Sequence, residues 1–326
     1  MKLLKLIGRA LGPGLGQRRT APKPQAKSSN RWMCSDPRAN QMLKYGRYCA
    51  LLGDAYEWRP DAVWAAAQML DSEMVFVPGG SVSLQEIAII EPDSNHAGSI
   101  RRREDSFFVD KHAVTNAQYK SFLDDDGYRT QELWPEEVWP FVEKMIDSTG
   151  VPGPASWRGG KHHPEKADHP VVGVSWFEAS AYANWLGKQL PTSAQWQRAG
   201  TWWKPDARFP WGNDYRVSRL NTYRAGHGDT IAVNGCPASS TPYGVAQLVG
   251  NVWEWVSDCF AHVKVEGESV ALPEPYGEIR GGAFDTYLPS QATCVFRSGQ
   301  TLLSRSRNIG FRCAASADLL AVMTSE

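Results

Sequence analysis

The chain has 326 residues with 35 basic and 35 acidic side chains, a formal charge of +0 and a pI near 7.0. Its overall field therefore gives no reason to expect nucleic-acid binding. Hydrophobic residues make up 42% and charged residues 21%, which permits a sizeable core and argues against wholesale disorder. No run of about 18 apolar residues occurs, so no transmembrane helix is expected.

Taken in chain order, residues 1–30 hold seven of the basic residues and no acid, leaving the remainder net acidic by seven. Leu3, Leu4, Ile7 and Leu11 share one helical face, with Lys2, Lys5 and Arg9 elsewhere. Charge interrupts the segment too early for a secretory core. A peripheral amphipathic helix, an organelle transit peptide and a solvated basic tail all stay open. Pro13, Gly14, Pro22 and Pro24 separate it from the rest of the chain, so 1–30 reads as a tail or linker.

Residues 31–72 read as a helical hairpin. Ala39, Met42, Leu43, Tyr48 and Leu52, then Val63, Ala66, Ala67 and Leu70, recur at helical spacing, and Gly53 and Pro60 separate the two runs. From residue 74 the pattern MVFVPGGSVSL alternates around a Pro-Gly-Gly turn, which predicts strand, turn and strand, and Phe107 to Val109 predict another. Three helix starts carry a capping box: Thr115 with Gln118, Ser175 with Glu178 and Thr192 with Gln195. Beyond residue 200 only short strands are expected, at Ile231 to Val233, Asn251 to Val256, Ala283 with Phe284, and Gly310 to Cys313. The main domain spans 73–318, a short tail 319–326, and the fold class is α+β with much ordered loop; 14 Trp beside 29 Gly and 21 Pro suit irregular backbone pinned by large flat side chains. Six cysteines (Cys34, Cys49, Cys236, Cys259, Cys294, Cys313) form no CxxC pair, so free thiols and a cytoplasmic setting are the default, with an organellar or membrane-peripheral alternative.

The segments MVFVPGG (74–80), FVDKHAVTNAQYKSFL (108–123), HPVVGVSWFEASAYANWLGKQLPTSAQWQRAG (169–200), FPWGN (209–213), GNVWEW (250–255), RGGAF (280–284) and NIGFRCAA (308–315) fall in family order. Over about 74–316 the chain resembles the formylglycine-generating-enzyme, or sulfatase-modifying-factor, family. That resemblance implies one domain of C-type-lectin-like topology. The superfamily includes copper-dependent formylglycine generators, non-haem-iron sulfoxide synthases, a pyoverdine-maturation branch, catalytically silent paralogues and retroelement-diversified ligand-binding proteins.

The generators bind Cu(I) through two cysteines after the RGG turn. Here Thr286 stands where the first would fall, no cysteine takes the second place, and Ala283 replaces a serine. Copper-dependent cysteine oxidation is therefore not expected. By the resemblance, Cys294 and Cys313 match structural cysteines whose usual partners align with Ala183 and a position near Ala199, so those disulfides are expected to be lost as well. The iron branch uses a His-x3-His-x-Glu pattern, and residues 31–72 contain no histidine.

His162, His163, Glu165, Asp168 and His169 gather imidazoles and carboxylates that suit iron or zinc, although Pro164 disrupts a common face and an exposed polar loop is the favoured reading. The resemblance also implies a structural Ca²⁺ held by the carbonyls of Gly250 and Val252, the Glu254 carboxylate and Gln247. An ion pair of Glu254 with Arg280 or Arg312 is the open alternative. A second calcium site near Asn221 would need Asp229.

Trp176, Trp185, Trp196, Trp253 and Trp255 lie inside the motifs and are expected to fill the core or wall a groove. Trp134, Trp139, Trp157, Trp202 and Trp203 are expected to anchor loops, or else to contact ligand. Two functional classes remain. One is an oxidative or modifying enzyme of the superfamily, with Asp285, Tyr287 and Arg297 as catalytic candidates. The other is a lectin-like module binding a small molecule, peptide or protein through Phe284, Tyr287, Phe296 and Arg297, on a 285–307 segment between fixed anchors.

Overall fold

The computed structural model describes residues 32–85, 99–265 and 268–319, with Lys264, Val265 and Glu268 described in backbone only. The basic segment at 1–30 and all but Leu319 of the 319–326 tail lie outside the described residues. Among the described residues no helix is long and apolar enough to cross a membrane.

The N-terminal part holds three helices, where a hairpin is expected: α1 (Pro37–Lys44), α2 (Tyr48–Gly53) and α3 (Pro60–Glu73). Asp36 caps α1 by accepting from the Arg38 amide, and a proline opens α1 and α3, where its missing N–H costs nothing. Ala39, Leu43, Leu51, Leu52, Ala66 and Leu70 bury one face, which continues onto Phe108 and Ala315 of the main domain. The helices are thus part of the same core. The Ala50 amide donates to the Leu186 carbonyl at 3.1 Å, and a Cβ on Gly187 would sit 2.5 Å from the Ala50 backbone, so the two parts meet backbone to backbone.

The main domain carries β1 (Met74–Val77), β2 (Gly80–Gln85), β3 (Ser99–Glu104) and β4 (Phe107–Asp110), then α4 (Asn116–Asp124), α5 (Trp139–Val142), α6 (Trp176–Trp185) and α7 (Ser193–Thr201). It closes with β5 (Trp253–Val265), β6 (Glu268–Arg280), β7 (Arg297–Thr301), β8 (Ile309–Phe311) and β9 (Ala314–Ser316). Strands form sheets ordered β1-β4-β9, β2-β3 and β7-β6-β5-β8, all antiparallel except β5 with β8. The α+β class is as expected. All three capping boxes form, each with the hydroxyl accepting the third amide and the Gln or Glu reaching back.

Two expected strands are absent. Residues 231–233 are irregular because Asn251 takes the place of a neighbouring strand. Its Oδ1 accepts the Ile231 amide at 2.9 Å and its Nδ2 donates to the Ile231 carbonyl at 3.0 Å. Ala283 and Phe284 form a turn instead, closed by the Thr286 hydroxyl on the Ala283 amide at 2.8 Å. The long hairpin β5–β6 was not legible as such. Pro273 and Pro275 break its alternation, and they lie in the register shift between Phe260 and His262 where β6 bulges.

The central core is aromatic. Tyr119 stacks on Tyr182 at 5.2 Å, and Phe122, Trp157 and Phe311 meet these rings edge-on. Each fully buried ring contributes about 1.5–3 kcal/mol through lost apolar surface. The motif tryptophans fill this core or bond to it: Trp255 donates to the Val174 carbonyl at 3.0 Å, Trp185 to Asp125 at 2.8 Å and Trp176 to the Val256 carbonyl at 2.8 Å. Of the others, Trp134 and Trp157 are buried and tie loops down, donating to the Gly127 carbonyl at 2.9 Å and to Asn116 at 2.8 Å. Trp139, Trp202 and Trp203 are half-buried.

Candidate functional site

Buried ion pairs fix the irregular backbone around the RGG turn. Arg312 lies between β8 and β9, where the chain passes from one sheet to another, and meets Glu254 on β5. Its Nε and Nη2 donate to the two carboxylate oxygens at 2.7 and 2.8 Å, and the Trp196 indole adds a third donor at 2.7 Å. Both side chains are fully buried. Glu254 therefore forms the ion pair with Arg312, not with Arg280. Arg280 donates instead to Glu278, the Ser193 hydroxyl, Gln197 and the Cys294 carbonyl. Burial raises the Glu278 carboxyl, but Arg297 and Arg280 outweigh it and hold it below its ordinary range.

Onto this frame the RGG turn docks against the GNVW turn. The Gly250 amide donates to the Gly281 carbonyl at 3.0 Å and the Phe284 amide to the Asn251 carbonyl at 3.0 Å. Gly281 has φ of +95°, and a Cβ there would lie 2.3 Å from the Leu248 carbonyl, so only glycine fits. Beyond the turn, Phe284 is buried under the Arg307 guanidinium at 5.4 Å, and Asn308 donates to both oxygens of Asp285 at 3.1 Å. Thr286 is buried and closes the turn. Tyr287, by contrast, is 62% exposed and packs edge-on against Tyr223, itself 60% exposed, at 5.4 Å. Leu288 is exposed beside it, and Phe296 lies half-buried against Trp253 at 6.1 Å.

Arg297 belongs to the frame. Its Nε and Nη2 donate to the two oxygens of Glu278 at 3.0 and 2.7 Å, and Nη1 to the Gln85 carbonyl at 2.6 Å. Tyr287 and Arg297 therefore hold different partners. Tyr223, Arg307 and Asn308 were not singled out from sequence. Arg307 closes the 285–307 segment and Asn308 opens the NIGFRCAA motif, but only tertiary packing brings these side chains and Tyr223 to the loop.

The histidine loop does not converge. His162 Nδ1 faces the His163 carbonyl at 2.8 Å with its ring against Trp157, and His163 stands 3.9 Å from Glu165. His169 turns to the Thr230 hydroxyl at 3.0 Å, and burial, then Lys166, lowers its pKa. Among the described residues no three His, Cys, Asp or Glu side chains group as a metal site.

Three of the four groups expected to hold Ca²⁺ at Glu254 already have partners. Arg312 and Trp196 occupy the carboxylate, Gln247 bonds to Asn251 at 2.6 Å and to the Ala232 carbonyl at 3.0 Å, and the Gly250 carbonyl accepts the Val252 amide at 3.0 Å. This donor set does not fit a cation. Asn221 differs: its Oδ1, like the Thr222 hydroxyl, is buried without a partner among the described residues.

All six cysteines are free. Cys294 lies under Gly200, where an added Cβ would approach its sulfur to 2.8 Å, and burial pushes its thiol up to about 12. Burial also pushes Cys49 up to about 12 and raises Cys313 well above the thiol range, so these three stay protonated at neutral pH.

The sequence model of the Sulfatase-modifying factor enzyme 1-like domain matches residues 59–317. The chain belongs to this family. It is 31% identical to the formylglycine-generating enzyme of Streptomyces coelicolor, over 68% of this chain and 81% of that protein. It is 34% identical to the serine/threonine-protein kinase pkn1 of Chlamydia caviae, over 76% of this chain but 38% of that protein. This sulfatase-modifying-factor-family chain thus spans about 38% of the length of its chlamydial relatives. PvdO from Pseudomonas aeruginosa shares the fold, with TM-score 0.52 and 22% identity over 74% of this chain and 94% of that one.

Proposed function

We propose that this chain is a ligand-binding member of its family, in which an aromatic contact face stands in place of a cysteine-oxidising centre. Thr286 carries the reading. Where the family resemblance calls for a copper thiolate, a buried hydroxyl caps the Ala283 amide, and the next residue extends into solvent against Tyr223. Two exposed phenol rings and Leu288 offer rigid amphipathic area at low entropic cost, and Asp285 with Asn308 and Arg307 offers polar orientation. The fitting ligand is a peptide or small molecule with apolar or aromatic groups. Free thiols suit a reducing, cytoplasmic setting.

The test is selection of a random peptide library on the wild-type chain and on a Tyr223→Ala/Tyr287→Ala variant. Peptides enriched on the wild type should bind the variant at least about tenfold more weakly. Equal binding by both proteins rejects the face. In a second arm, Cu(I) competes with a chelator in the presence of a cysteine-containing peptide. Stoichiometric copper retention with oxidation of the peptide thiol would overturn the non-oxidising reading.

A structural Ca²⁺ belongs to the same proposal, at the Asn221–Asp229 loop instead of at Glu254. Among the described residues the oxygens of Asn221 and Thr222 are unpartnered hard ligands, and the Asp229 carboxylate, which takes Lys166 at 2.5 Å and the Thr230 amide at 2.7 Å, would turn from Lys166 to the ion. Added Ca²⁺ should raise the wild-type melting temperature but not that of Asn221→Ala. No wild-type shift discards this site.

A further inference from the structure

A second cleft lies away from that loop, between the N-terminal helices and the main domain. Its volume is about 480 Å³, within the range of small-molecule sites, which often sit at such junctions. Leu43, Tyr45 and Met69 wall it from the helices, and Val114, Leu186 and Val233 from the domain. Its polar lining includes the buried Tyr48 and Asp110, the buried side chain of Lys188, the half-buried His112, and the exposed Lys44, Glu73 and Asp168.

Their hydrogen bonds leave a specific remainder. The Lys188 side chain is 4% exposed, and its ammonium donates to Asp110 Oδ1 at 2.7 Å and to the Tyr48 hydroxyl at 2.8 Å. An ammonium has three protons; the third meets no described hydrogen-bond acceptor, and the ammonium lies 4.6 Å from the centre of the Tyr48 ring. Burial disfavours its charge, but Asp110 outweighs this and keeps Lys188 protonated. The Tyr48 hydroxyl accepts from Lys188, and burial raises its pKa far enough to retain its own proton. No described residue accepts that proton, although Tyr48 is only 3% exposed. Asp110 accepts at both oxygens, the second taking the Cys313 amide at 2.9 Å.

His112 supplies the opposite character. Its Nδ1 lies 3.0 Å from the Val233 carbonyl, which can only accept, so Nδ1 carries the proton. Burial, then Arg312, lowers its pKa and keeps the ring neutral, leaving Nε2 as an acceptor with no described donor. Among its less exposed groups the cleft therefore offers two donors beside the His112 acceptor, and an apolar wall. Its buried cation is already balanced by Asp110. At that depth a carboxylate would add negative charge beside Asp110 and an ammonium would face Lys188, whereas water screens the exposed Lys44, Glu73 and Asp168. A neutral group that both accepts and donates answers the remainder, and an amide does so with its carbonyl and N–H.

We propose that this cleft binds a small neutral amide with an apolar side chain, whose carbonyl accepts from Tyr48 and Lys188 and whose N–H donates to His112. The experiment titrates full-length protein, labelled at Met and Leu methyl groups, with N-acetyl-leucinamide. Its anionic and cationic counterparts, 4-methylpentanoate and 3-methylbutylamine, run in parallel. The Met69 and Leu43 signals should move with the amide and not with either ion. Tyr48→Phe keeps the ring, removes the spare donor and should weaken binding by about tenfold. Met69→Trp fills the cleft from its apolar side without touching the polar groups, and should abolish the shifts even where Tyr48→Phe folds poorly. The proposal fails if the amide moves neither signal at about 10 mM, if 4-methylpentanoate moves them equally, or if Met69→Trp leaves the response intact.

Discussion

Arg280 and Tyr287 belong to one stretch of chain yet are held in opposite ways. Arg280 is fully buried and makes four hydrogen-bonded contacts that join α7, β6 and the Cys294 segment. Tyr287 touches Tyr223 and otherwise faces solvent. The same division runs through the domain. Arg312 with Glu254, Arg280 and Arg297 with Glu278, and Arg305 with Glu178 do the joining that regular secondary structure does elsewhere. An irregular backbone has few ladder bonds of its own, so buried charge pairs hold distant segments in one geometry, and the exposed loop can vary without disturbing them.

The sharpest way to break the comparison is Arg312→Met, which leaves Glu254 charged and buried with only the Trp196 donor. A loss of about 3–5 kcal/mol is expected in urea unfolding; a loss below about 1 kcal/mol would mean the pair is not structural. Arg297→Met comes next. Glu278 keeps Arg280, so the cost should be about 1–3 kcal/mol, with peptide binding at the Tyr287 face unchanged per folded molecule. A selective loss of binding at full stability would return Arg297 to the ligand site.

A smaller effect concerns a loop to which one carboxylate contributes several hydrogen bonds. Asp147 accepts the amides of Gly160 and Thr149, each at 2.7 Å, and of Val151 at 3.2 Å. Burial opposes its ionisation, but these bonds prevail and bring its carboxyl down to about 2. Its unfolded value is about 3.9, so this contribution is full above that pH and is lost as pH falls through about 2. Asp147→Asn should flatten the acid limb of the stability–pH curve; an unchanged limb would show that Asp147 does not contribute. Smallest in stability is Tyr287→Ala, expected within about 0.5 kcal/mol of wild type. A melting loss several times larger would place Tyr287 in the frame.

Much of the fold was legible because its signals are local. A capping box needs only a hydroxyl and a Gln or Glu three residues on, and all three formed. The aromatic core was readable in the helical spacing of Tyr119 with Phe122 and Tyr182 with Trp185. Residues 231–233 misled because β propensity says nothing about whether a strand partner exists, and here the Asn251 amide bonds that backbone. The hairpin β5–β6 was obscured by two prolines that the bulge accommodates.

The sequence by itself determined the family, the capped helices and the absence of cysteine between Arg280 and Thr293, because each depends on which residues are present or how near neighbours are spaced. Tertiary structure alone decided that Glu254 pairs with Arg312, that Arg297 serves Glu278, that Tyr223 meets Tyr287, and that Tyr48 and Lys188 face one cleft. Those pairings join residues far apart in the chain. Which partner a buried charge or an exposed ring finds depends on where the whole backbone brings it, and no local pattern carries that information.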